Sequence, residues 1–197
     1  MGSYSSQSWA IAEYLALFGI VLMHEFGHAL ACRQVGGDAH EILLWPFGGV
    51  AYVSPPPRPG AVLWSIAAGP LVNVVLFPVL TLVTSFLGTT SLAGSDLYEL
   101  VRAVRTINTY LLIFNLLPIY PLDGGQILQA LLWFGLGRAK SLFVATIVGF
   151  VGVAALTFWA IQGRSLWLGV LTFYVFQQCL AGFQQARAAM ALARQGH

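Results

Sequence analysis

Charge is what this sequence has least of. Only 8% of its 197 residues are Asp, Glu, Lys or Arg, against roughly 25% in ordinary soluble domains, while 58% are hydrophobic. So few charges cannot cover a water-soluble surface, so the composition points to residence in a membrane. Lysine is represented once, by Lys140, and the arginines are scattered, giving a net charge of +2. No clustered basic face is present to displace phosphate counterions, which excludes a nucleic-acid partner. The two cysteines, Cys32 and Cys179, lie in apolar segments and suggest no disulfide framework. No Lys or Arg precedes Arg33, so the first apolar run lacks the basic leader of a cleaved signal peptide and is expected to be retained.

Long apolar runs are abundant. A helix crossing a bilayer needs about 20 mostly apolar residues, and the sequence predicts about five spans, at residues 9–32, 62–87, 103–117, 142–161 and 166–183. The third is extended or broken around residues 118–125, where two prolines and two glycines fall, and a short helix over 126–134 follows. Between the first two spans, residues 42–45 and 50–53 are apolar and partly β-branched or aromatic, and Pro46-Phe47-Gly48-Gly49 is a turn signal. A β-hairpin is expected there, tucked into the protein, since open strand edges cannot face lipid. A stiff proline-rich linker over residues 54–59 leads onward. The expected fold is an all-α polytopic membrane protein with a short membrane-associated β-hairpin, forming one domain over residues 1–197.

The basic residues set an orientation. With five spans, one side receives Arg33, Arg58, Arg138, Lys140, Arg187 and Arg194, and the other Arg102, Arg105 and Arg164. The first group is expected in the cytoplasm, with the N-terminus outside and both His28 and Asp123 near cytoplasmic ends of spans.

Chemistry concentrates in His24-Glu25-Phe26-Gly27-His28. Helical positions four apart point in nearly the same direction, so both imidazoles share a face and can bind one metal ion, with Glu25 beside them to act on water. Ionisable groups inside an apolar helix are expensive, about 2.5–3.5 kcal/mol each for Asp, Lys or Arg on insertion scales. Three of them in five residues call for a compensating partner, which a divalent cation supplies. The bland alternative is a polar packing cluster or proton relay. A catalytic zinc usually takes three protein ligands. Cys32, Glu13, His40, Glu41 and Asp123 are candidates for the third. Asp123 is favoured: it is the single acid between Arg102 and the C-terminus and sits where the third helix breaks. Its structural alternative is a helix N-cap.

Four elements in order now carry a resemblance: His24-Glu25-Phe26-Gly27-His28-Ala29, Leu44-Trp45-Pro46-Phe47-Gly48-Gly49, Ala68-Gly69-Pro70-Leu71-Val72-Asn73, and the Asn115-to-Gly125 segment containing Leu122-Asp123-Gly124-Gly125. Over roughly residues 15–130 the chain resembles the site-2 protease family of intramembrane zinc metalloproteases, especially the compact bacterial branch that includes the sporulation sigma-factor processing enzyme. The resemblance implies one zinc ion per chain held by His24, His28 and Asp123, with Glu25 as general base. It implies that Asn73 lines the site, that Asn115 contacts substrate backbone, and that the Phe47-Gly48-Gly49 hairpin guides an extended substrate. For Gly69 and Asn73 the alternative is close helix packing. The expected activity is hydrolysis of peptide bonds in or near transmembrane segments of membrane proteins, in a bacterial cell membrane and with the site toward the cytoplasm. Expected partners are a transmembrane protein substrate and the lipid bilayer; self-association stays open. The span that often precedes the metal-binding helix in relatives, and their nucleotide-sensing or peptide-binding domains, are not expected here. The rival readings are a membrane metal-binding or transport protein and an inactive protease-fold assembly factor.

Overall fold

The computed structural model describes residues 4–45 and 48–195. In chain order these form α1 (Gln7–Gln34), β1 (Asp38–Trp45), β2 (Gly48–Ser54), α2 (Pro59–Gly88), α3 (Asp96–Asn115), α4 (Asp123–Leu136), α5 (Arg138–Gln162) and α6 (Leu166–Gln195). The expected class, helices plus one small hairpin, is what the chain adopts. It falls into two compact units, Met1–Pro56 with Ala67–Phe114, and Pro57–Ile66 with Asn115–His197.

Among the described residues four helices are long and apolar enough to cross a membrane: α1, α2, α5 and residues Leu166–Ala193 of α6. Their large apolar side chains stand outward, with Leu82 70%, Trp159 69% and Leu166 89% exposed. That is the surface of an integral membrane protein. The third expected span is a 20-residue helix that begins at Asp96, seven residues before the expected start. Its N-terminal half carries Asp96, Glu99, Arg102 and Arg105. Ser95 caps it through a bond from the Tyr98 N–H to Ser95 Oγ (3.3 Å), and the first-turn acids suit the positive end of the helix dipole. The apolar run alone hid this polar start.

In the first unit, α1 reverses the pattern of a soluble helix. Its apolar residues Ile11, Leu15 and Leu30 are exposed, whereas Glu13, His24, Glu25 and His28 are buried. Polar groups facing the protein interior are the arrangement that a lipid surround requires. Arg33 Nη2 donates to the Ala39 carbonyl (2.8 Å), tying the end of α1 to the start of β1. The strands pair antiparallel from Asp38↔Ser54 to Trp45↔Gly48, with an irregularity between Ala39 and Glu41. Gly48 and Gly49, expected in the turn, are the first residues of β2, so the connection is residues 46–47, which lie outside the described residues together with the expected contribution of Phe47.

In the second unit, α4 is bonded to the chain break before it, and α5 and α6 pack around that break. Ile119, Val153, Val175 and Cys179 form its buried apolar core, with Leu117, Tyr120, Leu122, Phe150 and Leu156 against it. The Cys179 thiol donates to the Tyr120 carbonyl (2.6 Å), and the Tyr120–Pro121 bond is cis. The helices α5 and α6, which carry no recognisable motif, thus grip the segment that leads into Asp123.

Candidate metal centre

The site is built first from two imidazoles on one face of α1. His24 and His28 are buried, their rings nearly perpendicular with centroids 4.8 Å apart, and the two Nε2 atoms face each other at 3.1 Å. Two ligand nitrogens of a tetrahedral zinc, each about 2.0–2.1 Å from the ion, lie about 3.4 Å apart. The observed pair is within reach of that spacing.

What turns the rings this way lies on α2 and α3. Asn73 Oδ1 sits 2.6 Å from His24 Nδ1, and Asn73 Nδ2 donates to Asn108 Oδ1 (2.8 Å). Asn108 Nδ2 in turn donates to the backbone carbonyl of Asn73 (3.0 Å). Both asparagines are completely buried. Gly69, one turn before Asn73, lies against the His28 ring: a Cβ at this position would collide with His28 Nε2 and Cε1. The glycine and the asparagine of this stretch therefore adjoin different histidines. Both contacts are also the close packing of α2 on α1 that the alternative reading expects.

Glu25 is buried between the two histidines in sequence, and its carboxylate is held from the hairpin. The Ala51 backbone N–H donates to Glu25 Oε2 (2.8 Å). Gly49 gives β2 its close approach, since a Cβ there would lie 2.5 Å from Glu25 Cγ. Glu13 is buried on α1 as well, but eleven residues before His24, about 16 Å of helix rise. Cys32 is fully buried and its thiol donates to the Asp38 carbonyl (3.4 Å). His40 and Glu41 are exposed on β1.

Asp123 belongs to the other unit and opens α4. The N-cap position is Leu122, not Asp123, and no side chain caps the helix there. Asp123 is the first helical residue, half-buried, with its carboxylate at the positive end of the helix. The break before it is closed by the Leu122 N–H bond to the Ile119 carbonyl (2.8 Å) and by Gln126 Nε2 donating to the Pro121 carbonyl (2.8 Å). A Cβ on Gly124 would strike the Leu116 and Leu117 carbonyl oxygens, and one on Gly125 would strike the Tyr120 nitrogen, so both glycines are set by space. Asn115 is the last residue of α3 and half-buried.

Two residues of this arrangement carried no sequence signal. Asn108 is a lone amide in a helix with no recognisable motif, and Ala51 acts through its backbone, which no residue type reveals.

The model of peptidase family M50 matches residues 12–92 and 84–159. A zinc metalloprotease of Methanocaldococcus jannaschii is 36% identical over 141 residues, covering 72% of this chain and 40% of its own length. Stage IV sporulation protein FB of Bacillus subtilis is 35% identical over 119 residues, covering 58% of this chain and 38% of its own length. The chain thus spans about two-fifths of these curated relatives. Among solved structures, a site-2 protease from Methanocaldococcus jannaschii is similar, with a TM-score of 0.65 and 29% identity over 90% of this chain and 80% of the other. A family match running from the paired histidines through the hairpin and the broken helix, with the fold to go with it, leaves one assignment: the chain belongs to peptidase family M50, the site-2 proteases.

Proposed function

We propose that this protein is a zinc-dependent intramembrane endopeptidase that hydrolyses peptide bonds in or near transmembrane segments of other membrane proteins. The observation that carries this reading is the buried His24–His28 pair, its Nε2 atoms 3.1 Å apart, on a helix long and apolar enough to cross a membrane. A zinc metalloprotease among the relatives supports the choice of ion. The donor set is two imidazoles and a carboxylate: His24, His28 and Asp123 each offer one ligand atom, the usual composition of a catalytic zinc site.

When bound, zinc supplies Lewis-acid activation of water and of the scissile carbonyl. The chain's residues do the rest. Glu25 takes a proton from the attacking water and delivers it to the leaving amine nitrogen. Asn73 holds the ring of His24. The hairpin presents main-chain hydrogen-bonding groups to a substrate segment that has left its helix, adding it as a strand. Gly49 keeps that surface close to Glu25, and Gly48, Phe47 and Asn115 are assigned to contact with the substrate. The distribution of Arg and Lys favours a site opening toward the cytoplasm, and the likeness to a sporulation protein of Bacillus subtilis favours a bacterial cell membrane.

The test is co-expression with single-span membrane proteins, comparing wild type with Glu25→Gln. Cleavage by the wild type, a loss of about 10²–10⁴-fold in the variant, and retained zinc is the expected result. Cleavage at the normal rate by Glu25→Gln ends the assigned mechanism. Metal uptake or transport without cleavage by wild type would favour a transport protein instead.

A further inference from the structure

The hydrogen-bond chain behind His24 has a direction, and a backbone atom sets it. A backbone carbonyl only accepts, so the Asn108 atom 3.0 Å from the Asn73 carbonyl is Nδ2. The other end of the Asn108 amide is then Oδ1, and the Asn73 group 2.8 Å from it must donate, which makes that group Nδ2. Asn73 therefore turns Oδ1, an acceptor, toward His24 Nδ1 at 2.6 Å. A proton must sit on Nδ1 to fill that bond. The neutral imidazole then carries no proton on Nε2, the nitrogen that faces His28 at 3.1 Å. The Asn73 carbonyl that fixes this direction is a backbone group and cannot flip as an amide side chain can.

Burial raises the stakes. Asn108 is the one fully buried residue of α3, and Asn73 is likewise fully buried. An amide in such a place costs free energy unless its groups are paired. Here the two amides are bonded to each other, to the Asn73 carbonyl and to His24. A helix otherwise free to pack with apolar residues places an amide at its single buried position, and the direction of its bonds matches what a metal-ligating nitrogen needs from its surroundings.

We infer that Asn108 is a positioning residue that acts through Asn73 to lock His24 in the tautomer whose Nε2 binds the metal. The inference rests on the metal reading of the preceding section. It extends that reading to a residue that reaches His24 only through Asn73 and makes α3 part of the site's machinery.

The experiment uses the full chain in detergent micelles, with ¹⁵N-labelled histidine and His24 assigned by comparison with His24→Gln. In metal-free wild type His24 is expected to be protonated on Nδ1. In Asn108→Leu, similar in size but without an amide, the His24 signal is expected to become a tautomer mixture. Zinc affinity, read by competition with a chelator, is expected to fall about 10–100-fold, the usual effect of losing an outer partner of a ligand. Asn108→Asp is expected to stay near wild type in both readouts, because a buried neutral carboxyl can donate to the Asn73 carbonyl and accept from Asn73 Nδ2. Wild-type His24 protonated on Nε2 would overturn the inference, as would Asn108→Leu with an unchanged tautomer and unchanged zinc affinity. Should Asn108→Leu fail to fold, the wild-type tautomer and the Asn108→Asp affinity decide. Should wild type hold no zinc, the metal reading fails, and the tautomer still reports on the asparagine relay by itself.

Discussion

Ala51 donates its backbone N–H to the carboxylate of Glu25 over 2.8 Å, so the hairpin's second strand and the acid between the two histidines are joined by a hydrogen bond. A single sequence marks Glu25 but not the backbone donor that meets it. The glycine two residues earlier makes it possible, because β2 must come within contact of the Glu25 side chain.

That contact makes Gly49 sensitive to size. Gly49→Val is expected to push β2 away from Glu25 and lower cleavage at least tenfold, with zinc content unchanged. The smaller Gly49→Ala is expected to fall between valine and wild type, since its one carbon already meets Glu25 Cγ at 2.5 Å. Graded cleavage rates with constant metal content would support a hairpin that aligns substrate at the acid. Equal loss of zinc in both variants would show that the strand is needed for the metal fold itself.

Gly69 makes the complementary prediction on the metal side. A methyl group there overlaps His28 Nε2, so Gly69→Ala must turn the ring or part the helices. Zinc affinity is expected to fall by tenfold or more, measured by chelator competition, with a smaller effect on the melting temperature than on the metal. Unchanged affinity would mean that the His28 ring has room the structure does not show.

Much of this was legible in the residues, and the reasons are physical. Charged groups inside an apolar run are costly enough to announce themselves, which is why His24, Glu25 and His28 stood out before any geometry was known. Turn chemistry marked the hairpin and the break before Asp123. What escaped was whatever depended on packing. The polar first half of α3 lies outside the apolar run that suggested a span there. The start of β2 at Gly48 reflects strand pairing that the glycines disguised as turn. Asn108 is one asparagine between Ile107 and Thr109 in a stretch with no motif, and only the carbonyl of Asn73 opposite it gives it meaning. The contribution of α5 and α6, gripping Ile119 and Tyr120, comes from shape that hydrophobicity alone does not encode.

Asp123 carries the most direct test of the metal reading. Its alternative as an N-cap does not describe the helix, because Leu122 holds that position. Asp123→Ala is expected to lower zinc content well below one ion per chain and abolish cleavage, by metal analysis of purified protein. Asp123→Asn, which keeps shape and loses charge, is expected to bind zinc weakly and to recover some occupancy at high metal concentration. A full ion in both variants would remove Asp123 from the site.

Two glycines of α4 give a prediction in which helix propensity and packing have opposite signs. Ala is favoured over Gly by about 0.8–1 kcal/mol in a helix interior and by less near the ends; Gly124 and Gly135 are the second and the penultimate residue of α4, so propensity by itself makes both Gly124→Ala and Gly135→Ala mildly stabilising. At Gly135, which is exposed, an added Cβ meets nothing within 4 Å, and the gain should survive. At Gly124 the same carbon strikes the carbonyl oxygens of Leu116 and Leu117. These are backbone atoms, which cannot swing aside as a side-chain end can. Forcing an extra carbon into a packed interior costs about 1–3 kcal/mol, which exceeds the propensity gain. Gly124→Ala is therefore expected to be destabilised, with a lower melting temperature in detergent. It should also lose cleavage, because the carbonyls it displaces belong to the break that aims Asp123. Gly135→Ala should melt at or above the wild-type temperature with unchanged cleavage. If both variants behaved alike, the close packing of Gly124 on the broken helix would not be what holds Asp123 in position.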